Sequence, residues 1–132
     1  MSYKFDESQP IYLQLIEIFK TNIANGTWKA GEKIDSVRNL ALDFAVNPNT
    51  VQRALVELEN SGLAYSKRTT GRFVTQNQKG IKNLKHEMAE NKTRDFVTQM
   101  QSIDIENNEI LELVQRCLDS EEKTRQNKNH EV

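Results

Sequence analysis

The stretch from Ala45 to Asn60 constrains this chain most, because it predicts a helix with two chemically different faces. Asn47 is a strong helix N-cap, and Pro48 suits the first helical position, where its missing N–H would have no partner anyway. Apolar side chains then recur at i, i+3, i+4 and i+7, which forms one stripe of a 3.6-residue period that must pack inward. The stripe consists of Val51, Ala54, Leu55 and Leu58.

The opposite face of the first two turns carries amide, hydroxyl and guanidinium groups and no carboxylate. Groups of this kind pair with base edges and phosphates in the major groove of DNA. An ordinary amphipathic helix with a solvated polar face is the alternative, and this helix alone does not separate the two interpretations. The residues concerned are Asn49, Thr50, Gln52 and Arg53.

A shorter helix is predicted just before this one, over residues 36–44, with Ser36 or Asp35 as its cap. Only two residues separate its end from the cap of the next helix. Two helices joined by so tight a turn are typical of a helix-turn-helix, in which the second helix enters the DNA groove. The context therefore favours the DNA-binding interpretation of the polar face.

The segment after these helices predicts a hairpin. Residues 63–67 and 72–75 are rich in strand-forming side chains, and a turn at 68–71 joins them. A hairpin in this position forms a wing, whose basic tip can reach DNA phosphates; a merely solvated tip is the alternative. The cationic residues of the tip are Lys67, Arg68 and Arg72.

The chain before the helix-turn-helix predicts one further helix, from Pro10 to Asn25, which Gly26 ends. Residues 26–34 follow as a loop or a short strand. The lone Trp28 in this segment is assigned to the core, packed against the helices, rather than to ligand stacking.

The C-terminal part predicts two helices that cannot enclose a core alone. A polar linker covers residues 75–80, a helix extends from 81 to about 102, Asp104 serves as N-cap, and a second helix extends from 106 to 118. Exposed apolar faces are costly, so a second copy of the chain is their simplest cover. The candidate dimerisation residues are Leu84, Met88, Phe96, Met100, Ile110, Leu111, Val114 and Leu118.

These predictions give three regions. Residues 1–76 form a winged helix-turn-helix DNA-binding domain, 77–118 form a two-helix dimerisation segment, and 119–132 form a charged tail that we expect to be disordered. The predicted fold class is mainly α with a small β-wing.

Composition excludes several classes of protein. The net charge of −1 does not indicate nucleic-acid binding, so the electrostatic argument depends on local placement of cations. No apolar run approaches the roughly 18 residues that span a bilayer, and the N-terminus lacks a secretory leader, so we expect a cytoplasmic protein without membrane contact. Cys117 cannot form an internal disulfide, and its apolar neighbours predict a small buried side chain.

No enzymatic motif is found in the chain, which has neither a Gly-rich phosphate loop nor a Ser/His/Asp set. We therefore predict no enzyme and no cofactor. His86 and Glu90 lie four residues apart, a spacing compatible with two metal ligands, but no third ligand accompanies them and a solvated helix face is favoured.

The spacing of these elements resembles the GntR family of bacterial transcription regulators over residues 9–76, and the Asn-Pro-Asn-Thr sequence resembles its YtrA-type branch. The matching positions are Pro10 to Leu15, Gly26, Gly31, Ser36 to Ala41, Val46 to Val51, Leu58-Glu59, Gly62-Leu63 and Gly71 to Val74. The resemblance implies DNA contacts at Arg38, Asn49, Thr50, Gln52, Arg68 and Gly71. Arg53 is added from helix geometry, as a phosphate clamp or as an ion-pair partner of Glu57.

Four positions depart from the pattern common in the family. Asp35 stands where the family often has Pro, and Thr69 stands at the first glycine of the wing. Pro48 and Gln52 stand where many members carry a basic residue. Base readout by other branches is therefore not transferred to this chain.

The resemblance implies a dimeric repressor of its own operon that reads a palindromic operator in double-stranded DNA. In YtrA-type relatives this operon commonly encodes an ABC transporter. Two alternatives stay open: a regulator with a small-molecule site in the helical dimer interface, and a winged-helix module that binds protein. The effector, if there is one, is not identified by the sequence.

Overall fold

A computed structural model describes residues 3–130, the last four by their backbone alone. The fold is mainly helical with one antiparallel hairpin, as the sequence predicts. The described chain divides into two compact units, whose boundary falls between Met88 and Ala89. The elements in order are α1 (Ile11–Ala24), α2 (Val37–Phe44), α3 (Pro48–Asn60), β1 (Ala64–Lys67), β2 (Gly71–Val74), α4 (Gln78–Ser102) and α5 (Asn107–His130).

The core of the first unit is built by α1, α2, α3 and the hairpin. The predicted inner stripe of α3 is buried in full, which confirms the helical period read from the sequence. It packs on α1, whose Leu15 and Phe19 are inaccessible to solvent. The largest fully buried side chains are Phe19, Leu15, Ile23, Leu55, Leu58, Val51 and Val74.

Both helices of the helix-turn-helix have the predicted N-caps. The Ser36 hydroxyl accepts a hydrogen bond from the amide of Asn39 at 3.1 Å. The Asn47 side-chain oxygen accepts one from the amide of Asn49 at 2.8 Å, and Pro48 occupies the first turn. These bonds satisfy amides that a helix start would otherwise leave unpaired, and they set where α2 and α3 begin.

The turn between α2 and α3 depends on Ala45, which adopts a left-handed conformation with φ 54° and ψ 48°. The amide of Val46 donates to the Ala41 carbonyl at 3.0 Å, and that of Ala45 donates to the Leu42 carbonyl at 3.3 Å. This is a Schellman motif, which usually places glycine at the left-handed position.

The hairpin pairs β1 with β2 in antiparallel register, with Ala64 opposite Val74 and Lys67 opposite Gly71. The segment before α2 pairs with β2 through an isolated β-bridge between Lys33 and Phe73. The amide of Gly31 donates to the Val74 carbonyl at 3.0 Å, and that of Ile34 donates to the Arg72 carbonyl at 2.8 Å. Of the two structures considered for residues 26–34, the loop is therefore correct, and its C-terminal end pairs with the hairpin.

Trp28 stacks on Phe19 with ring centroids 5.0 Å apart, which confirms its assignment to the core. The aromatic contacts continue from Phe19 to Phe44 of α2 and from there to Tyr3 in the N-terminal arm. Gln14 of α1 holds this N-terminal segment by two hydrogen bonds. Its side chain accepts one from the amide of Asp6 at 2.8 Å and donates one to the Asp6 carbonyl at 2.7 Å.

The helix α4 begins three residues earlier than predicted, inside the expected linker. Asn77 explains the difference, because its side-chain oxygen accepts a hydrogen bond from the amide of Gly80 at 3.0 Å and so caps the helix. Leu84 is buried in the core of the first unit, and Met88 packs against that core. These two predicted dimerisation residues are thus engaged within their own chain.

The predicted N-cap at Asp104 is wrong. Asp104 has a φ of 65°, and its amide donates to the Gln101 carbonyl at 3.0 Å. The amide of Ile105 donates to the Met100 carbonyl at 3.1 Å. Asp104 therefore ends α4 with a Schellman motif, a role that Asp can fill because it tolerates the left-handed region better than most residues.

The helix α5 continues to His130, where the sequence analysis expects a disordered tail from residue 119. Glu, Lys, Arg and Gln are frequent in this stretch and Gly and Pro are absent, so helix propensity supports the continuation. The side chains of residues 119–126 are exposed. Residues 131–132 of the expected tail lie outside the described residues.

Candidate nucleic-acid interface

The outer face of α3 presents the polar side chains that the sequence singles out. Asn49, Gln52 and Arg53 are exposed, and Thr50 is half-buried. Because the opposite stripe is fully buried, the helix cannot rotate to hide this face without losing its packing. The arrangement offers neutral hydrogen-bond donors and acceptors together with one cation.

Arg53 contacts α1 rather than Glu57, the ion-pair partner considered from the sequence. Its guanidinium carbon lies 3.6 Å from the centroid of the Tyr12 ring. This is a cation–π contact, which stabilises such a pair by about 0.5–1 kcal/mol at exposed sites. The contact joins α1 to the exposed face of α3.

The wing is fastened to α3 by Glu59. The Glu59 carboxylate accepts a hydrogen bond from the Ser66 hydroxyl at 2.5 Å and another from Nε of Arg72. These donors, Ser66 first and Arg72 second, hold the pKa of Glu59 below its ordinary value. Arg72, predicted as a phosphate contact, is therefore already paired within the protein, because an acceptor on α3 lies beside it.

Glu59 was not predicted to hold the wing against α3. Its only signal was the Leu58-Glu59 pair that matches the family pattern, which does not name a partner.

The other cations of the wing are less constrained. Arg68 is exposed in the loop between the strands. The Lys67 ammonium lies 4.8 Å from the centroid of the Phe73 ring. Gly71 has a φ of 118°, and a Cβ at this position would approach Cε of Lys33 to 3.0 Å. Lys33 thus lies beneath the wing, a placement that only the fold reveals.

A cleft of about 840 Å³ separates the wing from the start of α2. Four cations and one carboxylate line it, so its charge favours an anion. The carboxylate is that of Asp35, which accepts from the amide of Ser36 at 2.8 Å and from the Asn39 side chain at 2.9 Å. Arg38 is exposed on α2. The cations are Lys33, Lys67, Arg68 and Arg72.

The second unit carries an apolar groove of about 400 Å³. Leu118 and Phe96 in its wall are exposed, and Leu111 on α5 is 70% exposed. Among the predicted dimerisation residues of this unit, Ile110 is buried within the chain. The groove is lined by Phe96, Met100, Leu113, Val114, Cys117 and Leu118.

Cys117 is exposed, which corrects the prediction of a buried side chain. Its neighbours are apolar as expected, but they form the wall of an open groove rather than a closed core.

The part of the chain that the structure describes holds no cluster of three or more His, Cys, Asp or Glu side chains suited to a metal ion. His86 and Glu90 therefore have no third ligand of these types there. Among the described helices, none is both long enough and apolar enough to cross a bilayer.

Comparison with known proteins gives matches over most of the chain. The sequence profile of the family described as "Bacterial regulatory proteins, gntR family" matches residues 11–74. The uncharacterized HTH-type transcriptional regulator YhcF of Bacillus subtilis (strain 168) is 32% identical over 112 residues, which cover 85% of this chain and 93% of YhcF. The HTH-type transcriptional repressor YtrA of the same strain is 42% identical over 72 residues, 54% of this chain and 55% of YtrA.

Solved structures agree with this picture. A GntR family transcriptional regulator from Listeria monocytogenes superimposes with a TM-score of 0.80 at 38% identity, covering 85% of this chain and 98% of that one. The DNA-binding domain of AraR in complex with operator ORX1 has a TM-score of 0.51 at 28% identity, over 57% of this chain and 95% of that domain.

Proposed function

The chain belongs to the GntR family of bacterial regulatory proteins, and from this premise we propose that it is a regulator that binds double-stranded DNA in a sequence-specific manner. The observation that carries the proposal is the outer face of α3, held outward by its buried stripe and free of carboxylates on its first two turns. The similarity to AraR, whose structure contains an operator, supports the same use of this face.

In the proposed complex, α3 enters the major groove. Asn49 and Gln52 hydrogen-bond to base edges. Thr50, near the start of α3, contacts the sugar-phosphate backbone of the DNA. Phosphate contacts come from Arg38 on α2 and from the wing. Arg68 makes the main contact of the wing, and Lys33 and Lys67 line the adjoining cleft. Arg72 contributes less to phosphate binding, because it already forms an ion pair with Glu59. The proposal places the protein in the cytoplasm and assigns it no enzymatic activity.

We further propose that two chains bind one palindromic operator. The apolar groove of the second unit provides the surface for pairing, through Phe96, Met100, Val114 and Leu118, with Leu111 beside it. A symmetric dimer presents two recognition helices to half-sites about 34 Å apart. Doubling the contacts also compensates for a net charge of −1.

The regulated genes are proposed by resemblance. YtrA is named a repressor, so repression is the proposed mode of action, acting on the operon that contains the gene itself. The ABC-transporter operon typical of YtrA-type relatives is the proposed target.

A second candidate function is favoured by the apolar groove. Its volume of about 400 Å³ lies within the range of small-molecule sites, and its lining is apolar. A hydrophobic effector bound there would make the chain a ligand-responsive regulator. A rise in melting temperature on adding such a compound would indicate this function.

The test of the proposal is fluorescence anisotropy with the DNA upstream of the gene and with a shuffled duplex, each at two salt concentrations. We expect the native DNA to bind at least a hundredfold more tightly, with two chains per site. Equal affinity for both duplexes would contradict sequence-specific binding. Absence of salt-sensitive DNA binding would favour a winged-helix module that binds protein.

Two substitutions refine the test. Gln52→Ala is expected to cost about 1–3 kcal/mol on the native site and little on the shuffled duplex, because Gln52 reads a base. Arg68→Ala is expected to weaken both complexes and to lower the salt slope by roughly one unit, because Arg68 contacts a phosphate. Equal losses on both duplexes for Gln52→Ala would remove it as a base reader.

A further inference from the structure

Tyr12 contacts Arg53, one of the candidate DNA-binding residues, but is not itself one of them. Tyr12 belongs to α1, outside the helix-turn-helix, and is half-buried, whereas Arg53 lies on the exposed face of α3. The guanidinium carbon is 3.6 Å from the ring centroid, which is van der Waals contact between two planar groups. The helix α1, which packs in the core of the first unit, therefore also contacts the exposed face of α3.

The contact leaves the hydrogen-bonding capacity of Arg53 free. The structure gives the Arg53 guanidinium no hydrogen bond and no ion pair with any described residue. The five N–H donors of a guanidinium lie in its plane, and a ring over one face does not block them. They remain able to engage two acceptors at once, as a phosphate or the O6/N7 edge of guanine provides.

A free arginine side chain loses rotamer freedom when it binds, and this loss of side-chain entropy opposes binding. A side chain that is already held in place loses less, so part of this cost is met in folding the unbound protein. The Tyr12 ring restrains the guanidinium in this way beside Gln52, the proposed base reader. Preorganisation of this kind raises affinity without any new contact to DNA.

We propose that Tyr12 is a positioning residue for DNA recognition: its ring holds the Arg53 guanidinium with the donor edge free for a bidentate acceptor on the DNA. The inference rests on the proposed function, since it requires α3 to bind DNA. If it is correct, α1 contributes to the recognition surface. The ring of Tyr12, and not its hydroxyl, then affects the affinity for DNA.

The test is a double-mutant cycle on the full chain. The probe is a duplex enriched by the wild-type protein from a random pool, and a scrambled duplex serves as reference. The variants are Tyr12→Leu, Tyr12→Phe, Arg53→Ala and the double variant Tyr12→Leu/Arg53→Ala. Leu13→Ala, at an exposed neighbouring position of α1, is the matched control. Thermal melting of each variant establishes that it is folded.

We expect Tyr12→Leu to weaken binding about three- to fivefold when Arg53 is present, the size of an exposed cation–π contact. The same change is expected to have no effect once Arg53 is replaced by alanine. Tyr12→Phe keeps the ring and should bind within twofold of the wild type, as should Leu13→Ala. A purely structural role of Tyr12 would not produce this dependence on Arg53.

Three results would overturn the inference. Equal losses from Tyr12→Leu in both backgrounds would mean that Tyr12 acts independently of Arg53. A loss from Tyr12→Phe as large as that from Tyr12→Leu would mean that the hydroxyl contacts DNA directly. An Arg53→Ala variant with wild-type affinity would leave Tyr12 nothing to position. Failure of the wild-type protein to enrich any duplex would instead contradict the proposed function, and the inference with it.

The acceptor on the DNA is distinguished in the same titrations. A phosphate contact predicts that Arg53→Ala lowers the slope of log K against log salt by about 0.9 and weakens both duplexes. A guanine contact predicts an unchanged slope and a loss confined to the enriched duplex. Either pattern, joined to the expected cycle, supports the positioning role.

Discussion

The two units of this chain differ in how far their apolar side chains are exposed to solvent. In the first unit, Leu55 of α3 is 1% exposed and lies among residues from α1, α2 and the hairpin. In the second unit, Leu111 of α5 is 70% exposed, and the groove nearby is open. The same residue type therefore has two roles: in the first unit it closes a core, and in the second it presents an apolar surface that another molecule can cover.

Because the two units expose their apolar side chains to different extents, substitutions in them should affect different properties. A substitution in the first unit should be read mainly as a change in the free energy of unfolding. A substitution on the groove of the second unit should change assembly and leave folding of the first unit nearly as it was. Trp28 allows the two effects to be followed separately, because it is the only tryptophan and stacks on Phe19 of the first core.

The largest effect is expected for Leu55→Ala. Removing a fully buried leucine leaves a cavity as well as the lost transfer free energy, so we expect a cost of about 2–5 kcal/mol. Urea unfolding followed by Trp28 fluorescence measures it. The control is Leu111→Ala, whose exposed side chain should change the same transition by less than about 0.5 kcal/mol. Equal costs at both positions would remove the contrast between the units.

The next effect concerns association. Val114→Glu introduces a charge into the apolar groove, and a buried unpaired charge opposes pairing. If the proposed dimer forms through this groove, its dissociation constant should rise more than tenfold and the affinity for a palindromic duplex should fall with it, as measured by analytical ultracentrifugation and anisotropy. Lys123→Glu, at an exposed position of α5, serves as control. An unchanged sedimentation profile for Val114→Glu would contradict the assignment of the groove as the proposed dimer interface.

Ala45→Gly and Ala89→Gly form a pair with opposite expected signs. Ala45 has a φ of 54°, which costs a residue with a Cβ about 1–2 kcal/mol, so glycine should stabilise the turn by about 0.5 kcal/mol after its greater unfolded-state entropy is counted. Ala89 lies exposed inside α4, where glycine should cost about 1 kcal/mol.

Thermal melting followed by far-UV circular dichroism compares these two variants. A destabilised Ala45→Gly protein would show that the methyl group of Ala45 contributes to packing of the turn.

The smallest effect concerns pH and the fastening of the wing. The pKa of Glu59 is lowered in the folded protein from an ordinary value of 4.5, by Ser66 first and Arg72 second. A depressed folded-state pKa gives stability that is present above the unfolded-state pKa and is lost as the pH falls through the folded-state value. The contribution should be below about 1 kcal/mol, because the pair is partly exposed and screened by solvent.

The measurement is the difference in stability between the wild type and Glu59→Gln at pH 7 and at successively lower pH. We expect a difference at pH 7 that narrows below about pH 4.5. A difference that is independent of pH would assign the effect to packing instead of charge.

Local patterns predicted much of the fold. The stripe of α3, the caps at Ser36 and Asn47 and the core position of Trp28 depend on neighbours within a few residues or on burial alone, and the structure confirms them. The cap at Asp104 failed because Asp suits both the start of a helix and a left-handed end, and the choice depends on contacts of Ile105 with the preceding turn.

The candidate site was less predictable, since its details join residues far apart in sequence. Arg72 is predicted as a phosphate contact, but its carboxylate partner within the protein lies thirteen residues earlier on α3. Tyr12 and Arg53 meet only when α1 packs on α3, and Lys33 reaches the wing only through its β-bridge to Phe73. Charge alone shows which side chains favour an anion, and the fold decides which of them remain free to bind one.

The pairing of residues 31–34 with β2 joins distant parts of the sequence. Its hydrogen bonds join Gly31 to Val74 and Ile34 to Arg72, so the chain must close a loop of about forty residues before they form. The hairpin itself pairs residues at most ten apart and can form earlier. We therefore expect the hydrogen bonds between residues 31–34 and β2 to form late and to open first in native-state hydrogen exchange. In that case the wing would lose its attachment to residues 31–34 by local opening, while the hairpin and the helices are still folded.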